Sequence, residues 1–208
     1  MFESYAEPNG ATRQLDASDA DGRAPHERIL DVARDLFCRD GIHATGIDRI
    51  LATAGASKMT LYTRFGSKEA LVRAALREEG VAWRAAFFAA VVATSDDPAE
   101  RLRGIVPALA AWFRGGRFYG CVFMNAVAEH TKGELWLREL AAEHHREILA
   151  FLTAQVAAAG HADPALVARQ ILLLMDGMIA ATMVNGDDTV LAVAERTLDA
   201  ILSGAAPC

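Results

Sequence analysis

Residues 57–72 read SKMTLYTRFGSKEALV. Two serines, Ser57 and Ser67, each precede a lysine, and Gly66 separates the two starts. A serine hydroxyl that accepts from an amide just ahead opens a helix, and a glycine past the last turn closes one. The segment therefore predicts a very short helix over 58–65 and the start of another at Lys68. At about 100° per residue, Leu61 and Phe65 share one face. The opposite side carries Met59, Thr60 and Thr63, flanked by Lys58, Tyr62 and Arg64. That set is too polar for simple core. It suits a helix that reads a DNA groove: Lys and Arg bring charge and base-edge donors, Thr a hydroxyl and a methyl, Tyr a hydroxyl for phosphate. The plain alternative is a small three-helix knot with a solvated face.

Upstream, Ile29, Ala33, Leu36 and Phe37 repeat at helical spacing and Gly41 ends the run, which predicts a helix over 27–40. TGID at 45–48 reads as a capping box, Thr45 accepting from the amide of Asp48 while Asp48 reaches back. Ile47, Ile50, Leu51 and Ala54 then form the stripe of a helix over 46–54, closed by Gly55. Two short helices joined by a tight, Gly-containing turn make a helix-turn-helix, whose second helix enters the major groove N-terminus first. Ser67 and Lys68 can hold a backbone phosphate through free amides, the helix dipole and the ammonium.

The rest of the chain supports an all-α fold. It is 52% hydrophobic, rich in Ala and Leu, and contains no convincing strand pattern. A long helix is predicted from Lys68 to about Thr94. Others are predicted at 98–113, 120–129, 133–159, 163–184 and 187–203. Residues 1–24 are polar and aperiodic, and read as a disordered arm. No apolar run reaches the roughly 20 residues of a membrane span, and no signal peptide is evident, so a cytoplasmic location is expected. Three scattered cysteines form neither a disulfide framework nor a zinc motif. The net charge is −6, but residues 26–80 carry nine Lys/Arg against eight Asp/Glu, so the segment that would meet DNA is the least acidic.

The run RILDVARDLFCRDGIHATGIDRILATAGASKMTLYTRFGSKEALV (28–72) resembles the DNA-binding domain of TetR-family transcriptional regulators. Shared features are the Leu36-Phe37 pair, Gly41, Thr45, AGAS at 54–57, LY-x-x-F at 61–65 and K-E-x-L at 68–71. Met59 stands where the family most often has glycine, and Arg64 where histidine is common. The resemblance implies an N-terminal helix-turn-helix domain over 25–72 and a larger helical-bundle domain over 73–208 for ligand binding and dimerisation. It also implies a homodimer on a near-palindromic operator, a repressor released by a small, largely apolar effector. Lys58, Thr60 and Met59 are expected near bases; Tyr62, Thr45, Arg64 and Lys68 near phosphates.

In the second domain, polar residues embedded in apolar runs mark a pocket better than aromatics do, because a buried carboxylate is costly unless paired. Asn125 sits in FMNAV, Glu129 follows one turn later on the same face, and Asp176 sits in LLMDGM. The resemblance places the effector near Trp112, Phe113, Cys121, Met124, Asn125, Glu129 and Asp176. Broad apolar stripes on the last two helices, with small residues at Gly177, Ala180 and Ala181, predict the dimer seam. His130, Glu143, His144 and His145 lack H-E-x-x-H spacing, so no metal site and no cofactor is predicted. A redox- or metal-responsive regulator using Cys121 or a His130/His144 cluster is the alternative. A helical enzyme is less well supported, since no phosphate-binding glycine loop or nucleophile motif is present.

Overall fold

Pro25 fixes the first turn of the first helix, and the Glu27 carboxylate accepts the Ala24 amide at 2.8 Å, so the chain enters α1 with its first donors satisfied. The computed structural model describes residues 22–130, 135–186 and 189–204, and these fold into ten α-helices. The predicted arm falls, as far as residue 21, outside the described residues, as does Cys208. The helices are α1 (Pro25–Asp40), α2 (Ile47–Ala54), α3 (Lys58–Phe65), α4 (Lys68–Val92), α5 (Pro98–Arg103), α6 (Ile105–Phe113), α7 (Val122–Glu129), α8 (Leu135–Ala158), α9 (Pro164–Asn185) and α10 (Thr189–Leu202).

One predicted helix, 98–113, is two. Pro107 can give no N–H to the carbonyl four residues back, and its ring crowds that carbonyl, so the chain breaks at Gly104. The side chain of Thr94 lies so closely against Gly104 that an added Cβ there would collide with its Oγ1. α5 and α6 then pack separately on α8 and α10.

α2 packs on α1, and α1 and α3 pack on α4, around Ile29, Ile50, Leu61 and Leu71, all with no exposed surface. That core continues into the rest of the molecule through Val122, Phe123 and Ala126 of α7 and Leu137 and Leu140 of α8. A second core, around Leu109, Leu152, Ile171 and Met175, binds α5, α6, α8, α9 and α10. α7 thus lies between the head and the bundle. Gly80 of α4 allows its approach: a Cβ there would come within 2.8 Å of the Phe123 ring.

Candidate nucleic-acid interface and inner cavity

α3 is held by its ends and one face. The Ser57 hydroxyl accepts the Thr60 amide at 3.1 Å, and the Gly66 amide donates to the Tyr62 carbonyl at 3.0 Å. Leu61 is fully buried and Phe65 partly so. The turn before α3 is fixed by Gly55, in the left-handed region at φ 57°, and by Arg28 of α1. The Arg28 guanidinium donates to the Ala54 carbonyl at 3.0 Å and the Gly55 carbonyl at 3.2 Å. What remains of α3 faces solvent. Met59 is 78% exposed and Tyr62 49%, and Lys58, Thr63 and Arg64 are exposed as well. Thr60 is half-buried, its hydroxyl 3.0 Å from that of Ser57.

Electrostatics modifies this surface. Lys58 Nζ sits 2.9 Å from Asp48 Oδ1 at the start of α2, and that hydrogen-bonded partner raises the ammonium's pKa. The expected capping box is therefore absent. Asp48 turns to Lys58, and α2 is capped by Gly46. Thr45 is wholly buried, its hydroxyl donating to the Gly41 carbonyl at 2.7 Å, so it offers no surface to a phosphate. Lys68 also departs from expectation. Its ammonium turns inward and donates to the Ile42 carbonyl at 2.8 Å; burial lowers its pKa, and Glu129 acts in the opposite sense. Ser67 caps α4 by accepting the Ala70 amide at 3.0 Å.

Within the second part of the chain, a cavity of about 50 Å³ opens among α1, α4, α6, α7, α8 and α9. Of the seven residues expected at a ligand, Trp112, Cys121 and Asp176 line it. Four do not. Phe113 packs on Trp112 and Phe118, with ring centroids 5.6 and 4.7 Å away. Met124 packs against the head core. The Asn125 amide donates to the Tyr119 carbonyl at 2.9 Å. Glu129 accepts the backbone amides of Ile42 and His43 at 2.8 and 3.0 Å. The shared face of Asn125 and Glu129 is real, but it looks toward the end of α1. Phe123, two residues before Asn125, turns to the cavity instead.

Among the cavity walls outside the expected set are Trp83, Phe123, His144, His145 and Met175. One signal was available. The buried stripe of α8 runs Leu137, Leu140, His144, Ile148, Leu152, and a lone histidine in such a stripe asks for a partner. That partner is Arg84, whose guanidinium donates to His144 Nδ1 at 2.8 Å. A guanidinium only donates, so Nδ1 accepts and the ring's proton sits on Nε2. Burial, Arg84 and His145 push the His144 pKa down to about 3, and the ring stacks on Phe123 at 4.1 Å. Across the cavity Asp176 Oδ1 lies 3.6 Å from His145 Nε2; burial raises the carboxyl's pKa and His145 opposes it.

Burial raises the Cys121 pKa and, with Glu79, drives that of Cys38 up to about 12, so neither is a thiolate at neutral pH. His130 and His144 do not form a cluster: His130 lies 4.4 Å from His43, while His144 is on Phe123. Among the described residues no three metal-ligating side chains converge.

Residues 29–75 match the family model "Bacterial regulatory proteins, tetR family", and residues 98–198 match "Tetracyclin repressor-like, C-terminal domain". An uncharacterized HTH-type transcriptional regulator of Mycobacterium tuberculosis is 37% identical over 99 residues, 42% of this chain and 48% of that relative. The HTH-type transcriptional regulator UidR of Escherichia coli is 32% identical over 65 residues, 31% of this chain and 33% of UidR. The chain thus spans about half the length, or less, of the curated relatives it matches. Among solved structures, a TetR-family transcriptional regulator from Streptomyces coelicolor aligns with a TM-score of 0.78 at 28% identity, covering 86% of this chain and 95% of that one. The reduced form of E. coli NemR aligns with a TM-score of 0.75 at 19% identity over 84% of this chain and 94% of that one, a likeness of fold alone.

Proposed function

The chain belongs to the TetR family of transcriptional regulators, and on that premise we propose that it is a cytoplasmic repressor that leaves its operator when a small, largely apolar effector binds inside the bundle. The observation that carries the DNA reading is the outward face of α3, which is anchored from behind by Leu61 and free in front. Lys58, Met59 and Thr60, at the N-terminal end that enters a major groove, are assigned to base edges, and Tyr62 and Arg64 to phosphates. Thr45 and Lys68 are dropped from the contact set for the reasons above. The division at residue 72 is kept as the functional one, although α4 runs through it.

A homodimer through α9 and α10 completes this reading. Leu173 and Val193, 74% and 65% exposed, line a groove together with Gly177 and Ala181, and Val184 near the end of α9 is 83% exposed. α9 is long and apolar enough to cross a membrane, yet it carries Asp176 toward the cavity and packs on both α8 and α10. A second copy is the better cover for such a face. For the effector, about 50 Å³ is room for only a few waters, whereas drug-sized ligands fill roughly 300 Å³ or more. An effector of that size would have to enlarge the cavity.

Selection of duplexes from a random library by the purified chain, followed by gel shift, tests the DNA reading. Enrichment of a near-palindrome is expected; failure to enrich any duplex overturns it.

A further inference from the structure

The α1–α2 loop is gripped from outside the head. Glu129, the last residue of α7, accepts the amides of both Ile42 and His43 with one carboxylate oxygen, at 2.8 and 3.0 Å. Its other oxygen lies where a Cβ on Gly41 would sit, 2.5 Å away, and Gly41 itself has φ 85°, so the loop accepts the carboxylate only because residue 41 is glycine. Lys68 donates to the Ile42 carbonyl at 2.8 Å, and the His130 ring lies 4.4 Å from that of His43. This loop leads directly into α2, and the short turn at residues 55–57 carries the chain on into α3.

The other end of α7 belongs to the cavity, which Cys121, Val122 and Phe123 line. Eight residues of helix span about 12 Å and do not bend, so any movement of Phe123 is delivered to Glu129. The seam also has a surface side. An open cleft between α1 and α7, bordered by Gly41, Asn125 and Glu129, shares Cys38 and Tyr119 with the cavity. Opening the α1–α7 seam would join the cleft to the closed space within, and it would pull on the carboxylate that holds the loop.

We propose that Glu129 is the positioning residue through which the cavity and the DNA head sense each other, its carboxylate fixing the 41–43 loop and hence the angle of α2 and α3. The proposal rests on the DNA-binding reading above. Coupling of this kind is reciprocal, so DNA on the head must alter the cavity even before an effector is known. The chain has three tryptophans, of which Trp83 and Trp112 line the cavity and Trp136 does not. Trp136→Phe in the full chain therefore leaves fluorescence that reports the cavity alone.

The test is acrylamide quenching of that variant with and without the selected duplex, repeated with Glu129→Met, which keeps the stem and removes both oxygens, and with Glu129→Gln, which keeps an acceptor. The duplex is expected to change quenching in the parent, to leave it unchanged in Glu129→Met although the DNA still binds, and to change it again in Glu129→Gln. A full duplex-dependent change in Glu129→Met overturns the proposal, as does no change in a parent that binds DNA. Where Glu129→Met does not fold, Glu129→Asp, which draws the carboxylate back by one methylene, must show the loss. A chain that selects no duplex at all brings down the DNA reading and the coupling with it, an outcome distinct from the others.

Discussion

α3 and α7 are each eight residues long, and neither would persist alone in water, where helices below about 12 residues are marginal. The surroundings that hold them differ. α3 has a serine cap, a glycine stop and one buried residue, Leu61. α7 has no side-chain cap; Val122, Phe123 and Ala126 are buried, and Glu129 ties its far end to the head. A helix fastened by its own ends keeps a whole face for a partner outside the molecule. One fastened by its neighbours has its faces occupied and carries displacement between them. The same length thus yields a reader in one place and a lever in the other.

The largest expected effect separates their anchors. Leu61→Ala removes the single fully buried contact of α3 and should cost about 3 kcal/mol, within the range for a buried leucine truncated to alanine. DNA binding should be lost with it. Thermal melting with far-UV circular dichroism and titration of the selected duplex check both; a melt unchanged from the parent would mean that Leu61 is not what anchors α3.

The matching experiment on α7 uses acid. His144 stacks on Phe123, and its folded pKa of about 3 lies well below the ordinary 6.5. Below pH 6.5 the unfolded chain takes up a proton that the folded chain refuses, so this stability is complete above pH 6.5 and drains away as pH falls toward 3. From the two pKa values, about 2 kcal/mol should be gone at pH 5. Asp176, whose pKa is raised by burial, works in the opposite direction as it protonates. A melting temperature that falls between pH 7 and 5, with the slope reduced in His144→Gln, is the expected result. An unchanged slope in His144→Gln would move the effect to other groups.

The contrast also explains what could be read in the chain beforehand. The head was legible because its signals are local: Ser57 three residues before Thr60, Gly55 and Gly66 at their turns, Leu61 and Phe65 on one face. The inner site was legible only where polarity broke an apolar run, as at Asp176. Trp83, Phe123 and His144 meet from three different helices, and no spacing along the chain announces that. The misplaced residues are instructive. Lys68, at the start of a helix, suggests a phosphate and Glu129, one turn beyond Asn125, a ligand, yet both serve the backbone of the 41–43 loop, Glu129 from 87 residues away. Thr45 went inside for a similar reason, to satisfy the Gly41 carbonyl.

Smaller effects belong to the reading face itself. Tyr62→Ala removes a half-exposed side chain that no core contact needs, so the melting temperature should hold. Operator affinity should fall by about tenfold if the hydroxyl meets a phosphate, with the salt slope unchanged because the phenol carries no charge. Titration of the selected duplex at several salt concentrations reads both. Unchanged affinity would take Tyr62 out of the interface and leave the phosphate role to Arg64.

The smallest effect is the most diagnostic of how α3 is tuned. Asp48 places a carboxylate 2.9 Å from the Lys58 ammonium, on the face that must approach a polyanion. Two outcomes are distinguishable. If Asp48 only shields Lys58, Asp48→Asn removes a repulsive charge and should tighten binding by about threefold at low salt, with the gain fading as counterions screen it. If Asp48 instead aims the ammonium at a base edge, the same change should loosen binding and relax the selected sequence at one position while leaving the salt slope alone. The pair is exposed on both sides, 66% at Lys58 and 82% at Asp48, which favours shielding, since so little around it holds a fixed direction. α7 again provides the contrast. The carboxylate of Glu129 meets two backbone amides of a fixed loop, so its removal should register as lost coupling, whereas that of Asp48 should register as a change in affinity.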